Sequence, residues 1–445
     1  MQRHHTTPPD INETELISLI KQWAYPLNSK ADLQPLFDRI GDSSIVMLGE
    51  ASHGTHEFYT WRAHITKRLI QEKGFQFIAV EGDWPDCYRL NRFIKGLDEK
   101  DKSAFKVLQA FNRWPTWMWA NWEMVALADW LYEFNKSIPL NKRAGFYGLD
   151  VYSLWESMES IIRYLEKTDP ASLTTALEAF RCFEPYQKEE GRGYARASQF
   201  VPELCQQEVV ELLKEIQSKS VLYNSDPENV FSVEQNARIA VNAEKYYRAM
   251  IKGGPHSWNL RDRHMADTLD DLLEYHGKDA KVIVWAHNTH IGDARATDMA
   301  ADGMLNLGEL ARIKYGEPNV VLVGFGSYKG SVIAGKNWGA PMQAWKLPDA
   351  ARGSWEDLLH KAGHQNQLLL MEDFISNDTL LEHPIGHRAV GVVYNPQYEA
   401  YGNYVPSILP LRYDAFIHLD ETRALHPLHV DAAAAQMPET YPFGV

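Results

Sequence analysis

The sequence is poor in cysteine and contains no long apolar run. Its three cysteines, Cys87, Cys182 and Cys205, form no C-x-x-C pair. We therefore expect neither a disulfide framework nor a thiolate zinc site. No stretch approaches the ~18 consecutive apolar residues that favour a membrane-spanning helix, and the N-terminal MQRHHTTPPD lacks the apolar region of a secretion signal. The expectation is a cytoplasmic protein that does not bind a membrane.

An excess of positive charge is also absent. The formal net charge is -14, and no basic run offsets it, which argues against a nucleic-acid partner. The chain is nevertheless 45% hydrophobic and 12% aromatic, enough to fill a large core. This composition excludes extensive disorder and leaves a small-molecule ligand as the expected partner, with no prediction of the oligomeric state.

Five apolar runs predict strands that are buried on both faces, because their apolar residues do not alternate with polar ones. The runs begin at Ile45, Phe77, Gly145, Val282 and Val320. A helix predicted over about 56–73, ended by Gly74, connects the first two runs as in a parallel crossover. Two later pieces, 389–394 and 416–419, also resemble short strands.

The pattern predicts an α/β fold with three layers, α/β/α. The central sheet is expected to be mostly parallel with mixed edges. Between about 151 and 280 the periodicity is helical, and we interpret this segment as an insertion in a single domain spanning 1–445.

Acidic and histidine side chains follow the predicted strands. Open α/β sheets bind ligands outside the carboxyl ends of their strands, so these side chains are candidate site residues: Glu50, His53, Glu81, Asp83, Asp150, His287 and His290. Trp84 and Tyr328 follow the second and fifth runs. Trp117 lies in a tryptophan-rich segment that either lines an apolar pocket or packs in the core. We expect substrate contacts from Asp83, Trp84, Asp150, Trp117 and Tyr328.

Two nucleophile or phosphate motifs are incomplete. Ser52 stands where a G-x-S-x-G elbow would place its serine, but Glu50 replaces the leading glycine. The segment 330–336 has the glycines and lysine of a phosphate-binding loop, but Asn337 replaces the Ser or Thr that would bind magnesium. We interpret Ser52 as a turn residue and 330–336 as a loop or hairpin.

Two chemistries remain for the polar cluster. A histidine oriented by a carboxylate is a general base for water. Alternatively, His287 and His290 with Glu50 or Glu81 could form a metal site of two histidines and one carboxylate. Arg62, on the apolar face of the first helix, either pairs with one of these carboxylates in the interior or extends to the surface.

Four motifs together resemble the erythromycin esterase family: GEASHG with Arg62 downstream, AVEGDW, WAHNTHIGD, and YDAFIHLDETRALHPL near the C-terminus. The resemblance covers nearly the whole chain, in the same order. It implies a hydrolytic α/β fold in which macrolide-hydrolysing members use the histidine of the first motif as general base, without an acyl-enzyme. That role maps to His53. The other family positions map to Glu50, Arg62, Glu81, His287 and His290.

The resulting hypothesis is a carboxylic ester hydrolase without a cofactor. His53 acts as the base, Glu50 or Glu81 orients it, and Arg62, His287 and His290 stabilise developing charge. One alternative is a metal-dependent hydrolase with a divalent ion at Glu50, His53, Glu81, His287 and His290. The other is a non-catalytic small-molecule-binding protein, since some family members are named for succinoglycan biosynthesis.

Overall fold

The structure is a computed structural model that describes residues 12–98, 103–189, 192–200, 204–220, 223, 226–250, 254–363, 365–375, 380–381 and 383–429. These residues form two compact units. The first comprises the described parts of 1–78, 92–145 and 279–445, and the second comprises 79–91 and the described parts of 146–278. The predicted insertion lies in the second unit apart from its last two residues.

The helices are α1 (Glu13–Trp23), α2 (Gln34–Ile40), α3 (His56–Lys73), α4 (Trp84–Ile94), α5 (Ala104–Gln109), α6 (Trp122–Lys136), α7 (Leu154–Thr168), α8 (Leu173–Phe183), α9 (Arg192–Ala197), α10 (Gln206–Lys219), α11 (Pro227–Met250), α12 (Pro255–His276), α13 (Asn288–Ile291), α14 (Leu307–Tyr315), α15 (Trp355–Gly363), α16 (Glu399–Gly402) and α17 (Leu409–Arg412). The strands are β1 (Tyr25–Pro26), β2 (Ile45–Leu48), β3 (Phe77–Asp83), β4 (Gly145–Asp150), β5 (Val282–Trp285), β6 (Val320–Gly335), β7 (Met342–Leu347), β8 (Gln367–Leu370), β9 (Ile385–Arg388), β10 (Tyr404–Ser407) and β11 (Ala415–Thr422).

The sheet of the first unit has the strand order β1-β8-β11-β6-β2-β5, with β7 paired to β6. Strand β2 is parallel to both of its neighbours, so Leu48 is in register with Trp285 of β5 and Val323 of β6. Strand β11 is parallel to β6, whereas β8 and β7 add antiparallel pairs at the periphery. The predicted α/β class, with a mostly parallel sheet and mixed edges, is confirmed.

The buried strands follow the apolar runs closely. Every residue of β2 and β5 is buried, as expected for strands covered on both faces. Helix α3 spans the predicted 56–73. It ends because Gly74 adopts a left-handed conformation, with φ of 72°, and donates its N–H to the carbonyl of Leu69.

Two strand predictions were less accurate. Strand β6 continues from Val320 to Gly335 and pairs with β7, so segment 330–336 is part of a hairpin, as expected, and not a phosphate loop. The predicted strand over 389–394 is wrong, because only isolated bridges form there, at Val390 and Val393. Val390 donates its N–H to the carbonyl of Ala51, a loop residue, and no ladder develops.

In the second unit, β3 and β4 are neighbours, and helices α7 to α12 supply a separate apolar core. Leu154, Phe183, Tyr194, Leu212 and Ala237 are among its fully buried members. The unit also contains a disulfide between Cys182 and Cys205. The sequence predicted no disulfide framework, and this single bridge was not foreseen. The two cysteines are 23 residues apart, so no short spacing motif in the sequence indicates that they pair.

Candidate active site

The loop that follows β2 is held by close contacts that leave no room for side chains at two glycines. A Cβ atom on Gly49 would lie 2.1 Å from Oδ1 of Asn288, and one on Gly54 would lie 1.9 Å from the carbonyl oxygen of Ile333. Gly54 also accepts hydrogen bonds from the backbone N–H groups of Ile333 and Leu425 at 3.0 Å. The glycines of GEASHG therefore allow the close approach that fixes Glu50 and His53.

Glu50, His53 and Arg62 form a buried triad. His53 Nδ1 lies 2.9 Å from Glu50 Oε1, and Arg62 Nη2 donates to Glu50 Oε2. A carboxylate bound to arginine only accepts hydrogen bonds, so the proton of a neutral His53 is on Nδ1 and the lone pair is on Nε2. That tautomer is the one a general base requires, if water approaches Nε2.

Arg62 does not extend to the surface. Its side chain is fully buried, and its guanidinium carbon lies 4.5 Å from the ring centres of both Tyr59 and Trp285. Arg62 Nε also donates to the carbonyl of Phe58 at 3.3 Å. Of the two alternatives left open by the sequence, the buried pair with Glu50 is the correct one.

The end of β5 places a second histidine beside the triad. The rings of His53 and His287 have centroids 4.9 Å apart. His287 caps helix α13, and its Nδ1 accepts the backbone N–H of Thr289 at 3.3 Å. The same Nδ1 lies 2.8 Å from Thr289 Oγ1, which can donate or accept. If Nδ1 accepts from both groups of Thr289, the proton of a neutral His287 is on Nε2. The backbone N–H of Asn288 donates to the carbonyl of Glu50 at 2.9 Å, which joins the ends of β2 and β5.

His290 is on the same short helix and is buried, with its backbone N–H bound to the carbonyl of His287 at 2.8 Å. The structure thus brings together Glu50, His53, Arg62 and His287 in the first unit.

In the second unit, Glu81 and Asp150 share one arginine. Arg261 Nη2 lies 2.7 Å from Glu81 Oε1 and 2.6 Å from Asp150 Oδ2. Burial would raise the pKa of Asp150, but the Arg261 guanidinium holds that pKa below its ordinary value. Of the two candidate carboxylates, Glu50 is the one in contact with His53, and Glu81 pairs with Arg261.

Comparison with known proteins places this arrangement in a family. The model of the erythromycin esterase family matches residues 70–422. The chain belongs to the erythromycin esterase family. It is 24% identical over 375 residues to the type II erythromycin esterase of Escherichia coli, covering 78% of this chain and 85% of that protein.

Two solved structures share the fold of this erythromycin esterase family member. A crystal structure of a succinoglycan biosynthesis protein matches with a TM-score of 0.73 and 20% identity, covering 93% of this chain and 98% of the other. A mutant of the erythromycin esterase EreC in its open conformation matches with a TM-score of 0.65 and 15% identity, covering 94% and 97%. At these identities the likeness establishes the fold alone.

Several residues expected to contact substrate have other environments in this family member. Trp84 is fully buried in the second unit, where its Nε1–H donates to Ser232 Oγ at 3.0 Å. Trp117 is 1% exposed and packs edge-on against Trp114, which is the core alternative. Both indoles pack in the interior, and their predicted substrate contacts stay predictions.

Tyr328 lies in the middle of β6, not at a strand end, because β6 is longer than predicted. Its ring stacks on His360 with centroids 3.7 Å apart, an environment that does not mark it as a substrate contact. Asp83 is the last residue of β3, and its predicted role stays a prediction. Ser52 is buried with its hydroxyl bonded to that of Thr55, which fits the turn-residue interpretation.

Arg261 and His264 were missed by the sequence interpretation. They lie one turn apart on α12, in the stretch RDRH, where alternating charges resemble an ordinary solvated helix face. Burial lowers the pKa of His264 to about 4. The one available signal was their spacing of three residues, which places both on one face of a helix that could meet the acids at the strand ends.

Among the described residues, the predicted metal ligands of the first unit, Glu50, His53, His287 and His290, do not form a group of three ligand atoms close enough to share one ion. Across the same described ranges, no helix combines the length and apolarity needed to cross a bilayer.

Proposed function

We propose that this protein hydrolyses a carboxylic ester or lactone, with His53 Nε2 as the general base for a water molecule. The observation that carries the proposal is the carboxylate of Glu50, which binds His53 and Arg62 at the same time. Arg62 keeps the carboxylate in place, and the carboxylate sets the tautomer of His53. Membership of the erythromycin esterase family supports ester hydrolysis as the reaction.

The proposed reaction needs no covalent enzyme intermediate. His53 Nε2 takes a proton from water while the hydroxide oxygen adds to the ester carbonyl carbon. The imidazolium formed is stabilised by Glu50, whose negative charge lies 2.9 Å from Nδ1. Collapse of the tetrahedral intermediate breaks the bond to the alkoxide, which takes the proton from Nε2. The products are a carboxylic acid and an alcohol, or one hydroxy acid from a lactone.

His287 is the proposed donor to the developing oxyanion. In this proposal Nδ1 of His287 accepts from the backbone N–H and the hydroxyl of Thr289, so that Nε2 of the neutral ring carries the hydrogen. Its ring is adjacent to that of His53, so one histidine accepts a proton while the other donates a hydrogen bond. His290, on the same helix, is assigned a supporting role in this step.

The substrate in this proposal is a small ester, and macrolide lactones are one candidate class because a curated relative is an erythromycin esterase. The protein is proposed to act in the cytoplasm and to carry out this step without a cofactor. Arg62 argues against a metal ion at Glu50, because the guanidinium neutralises the carboxylate that a cation would need.

The test is hydrolysis of p-nitrophenyl esters and macrolide lactones by the wild-type chain and by His53→Gln. Loss of a positioned general base is expected to lower kcat/KM by about 10²- to 10⁴-fold. Ser52→Ala, in the same loop, is the matched control and should retain wild-type turnover.

Full activity of the His53 variant on a substrate that the wild type hydrolyses would overturn the mechanism. Intact-mass analysis after rapid quenching adds a second criterion, since a trapped acyl-enzyme would contradict direct attack by water. A protein that only binds small molecules would turn over none of these esters while still gaining thermal stability from a ligand.

A further inference from the structure

A second histidine–glutamate cluster lies outside the proposed catalytic residues. The Nδ1 atoms of His56 and His426 both approach Oε1 of Glu123, at 2.6 and 2.7 Å. The three side chains come from the first residue of α3, the second residue of α6, and the segment after β11. Each offers a ligand atom, and these atoms lie within 4.8 Å of one another.

Backbone hydrogen bonds hold all three segments in position. His56 donates its N–H to the carbonyl of Arg423 at 2.8 Å, and Trp122 donates its N–H to the carbonyl of His426 at 3.0 Å. Helix α6 begins where it does because the Asn121 side chain accepts the N–H of Met124 at 2.8 Å. The cluster is therefore preorganised by backbone, as a binding site requires.

Burial and charge favour a cation at this cluster. Glu123 is 3% exposed, and two neutral imidazoles would leave its negative charge without a countercharge in the cluster. A bound divalent ion would supply that countercharge.

We propose that His56, Glu123 and His426 form a binding site for a divalent transition-metal ion, with Zn²⁺ as the reference ion. Two imidazole nitrogens and a carboxylate oxygen are a set that suits zinc, iron or cobalt, whereas Mg²⁺ and Ca²⁺ prefer oxygen ligands alone. The His426 side chain is 39% exposed, so a water molecule can reach a fourth coordination position.

Binding an ion requires a change of tautomer and a small change of distance. Each imidazole donates its Nδ1–H to Glu123 in the absence of an ion, so on binding its proton must move to Nε2 to free the Nδ1 lone pair for the ion. Zinc–ligand bonds of about 2.0–2.1 Å in a tetrahedron place the ligand atoms roughly 3.3 Å apart. The nitrogen–oxygen distances of 2.6 and 2.7 Å would therefore open by a fraction of an ångström on each side. Rotation of the partly exposed His426 ring can supply part of this change.

The ion would tie the start of α3 and the start of α6 to the C-terminal segment. It is not required for the water attack proposed at His53, which uses different side chains. Metal binding and ester hydrolysis can consequently be measured separately, and failure of one does not imply failure of the other.

The experiment measures Zn²⁺ and Co²⁺ binding to the full-length chain after treatment with a chelator. We expect one ion per chain at the site, and a visible Co²⁺ absorption band of the intensity typical of four- or five-coordination. His426→Gln should weaken Zn²⁺ binding at least tenfold. His360→Gln is the matched control, because His360 forms a partly exposed pair with Asp420 at 2.6 Å and should leave Zn²⁺ affinity unchanged.

Histidines elsewhere can bind metal, including the adjacent His4 and His5. The titrations are therefore run in a His4→Ala/His5→Ala background, where the expected stoichiometry stays at one. The proposal is overturned if this background chain binds no stoichiometric Zn²⁺, or if His426→Gln binds it with unchanged affinity. Glu123→Gln provides a second variant, and equal affinity in that variant would overturn the proposal as well.

Discussion

Replacing Glu50 by glutamine inverts the hydrogen-bonding pattern at His53 while changing almost no volume. Arg62 is an obligate donor, so the amide oxygen of the introduced glutamine must face Arg62 Nη2, and its amide NH₂ group must face His53 Nδ1. Nδ1 then has to accept, which places the imidazole proton on Nε2. The lone pair required to deprotonate water is removed, although every heavy atom stays near its position.

The expected loss of activity follows from that inversion and from the missing negative charge. Restoring the reactive tautomer costs a hydrogen bond of the charged type, about 1.5–3 kcal/mol, and the imidazolium formed in the transition state loses its counterion. The analogous carboxylate-to-amide change in a serine protease triad lowers kcat by about 10⁴. We expect kcat/KM of Glu50→Gln to fall by about 10³-fold, within a range of about 10² to 10⁴.

The effect on stability should be much smaller. Arg62 keeps a neutral acceptor in the amide oxygen of the new side chain and keeps its contacts with Tyr59 and Trp285. Breaking a buried ion pair outright costs about 3–5 kcal/mol, whereas the retained hydrogen bond limits the loss to about 2 kcal/mol. A folded variant with greatly reduced turnover is the predicted outcome, and Glu50→Ala should be less stable than Glu50→Gln.

The assay compares kcat/KM on one ester with the free energy of unfolding in urea. Glu356→Gln is the matched control, because Glu356 is a fully buried carboxylate that pairs with His387 Nδ1 at 2.5 Å. The control should lose comparable stability and retain kcat/KM. The reasoning is refuted if Glu50→Gln keeps kcat/KM within threefold of wild type, or if Glu356→Gln loses as much activity.

Two further predictions concern stability. The pKa of His264 is about 4 in the folded protein and 6.5 in an unfolded chain. The unfolded state therefore binds more protons between these two pH values. The free energy of unfolding should fall by about 2 kcal/mol from pH 8 to pH 5. This loss saturates below pH 4, and urea titrations of His264→Gln should show a shallower pH dependence; an equal slope would contradict the assignment. Gly54→Ala places a Cβ 1.9 Å from a carbonyl oxygen and should cost at least about 2 kcal/mol, whereas Gly391→Ala, with nothing within 4 Å, should be nearly neutral in the same urea assay. Equal urea midpoints of unfolding for these two glycine variants would contradict the prediction, because they would show that the loop after β2 can shift to accommodate a methyl group.

The strands around the site were predictable because each buried strand is encoded by a continuous apolar run of neighbouring residues. The runs of β2 and β5 are continuous and apolar, and the end of α3 is marked by a glycine in a left-handed conformation. Strand β6 was predicted too short because glycines interrupt the apolar run from Gly324 onward, and residues 328–331 are partly exposed before 332–335 are buried again. Their strand conformation depends on pairing with β7, a tertiary contact.

Choosing between the two acids Glu50 and Glu81 was beyond the sequence. Both follow an apolar run in the sequence, so the strand-end rule ranks them equally. What separates them is the arginine that each one meets: Arg62 on α3 for Glu50 and Arg261 on α12 for Glu81. Arg261 is 180 residues from its partner, and no local pattern connects two residues over that distance.

The partner of each carboxylate also distinguishes the chemistry proposed for two neighbouring histidines. His53 and His56 are three residues apart, and each contacts a buried glutamate through Nδ1. Glu50, which contacts His53, also binds an arginine, and an arginine cannot ligate a metal ion and repels cations. Glu123, which contacts His56, also contacts the imidazole of His426, which adds a possible ligand and no fixed charge. One histidine–glutamate contact is thereby suited to proton transfer and the other to holding a metal ion.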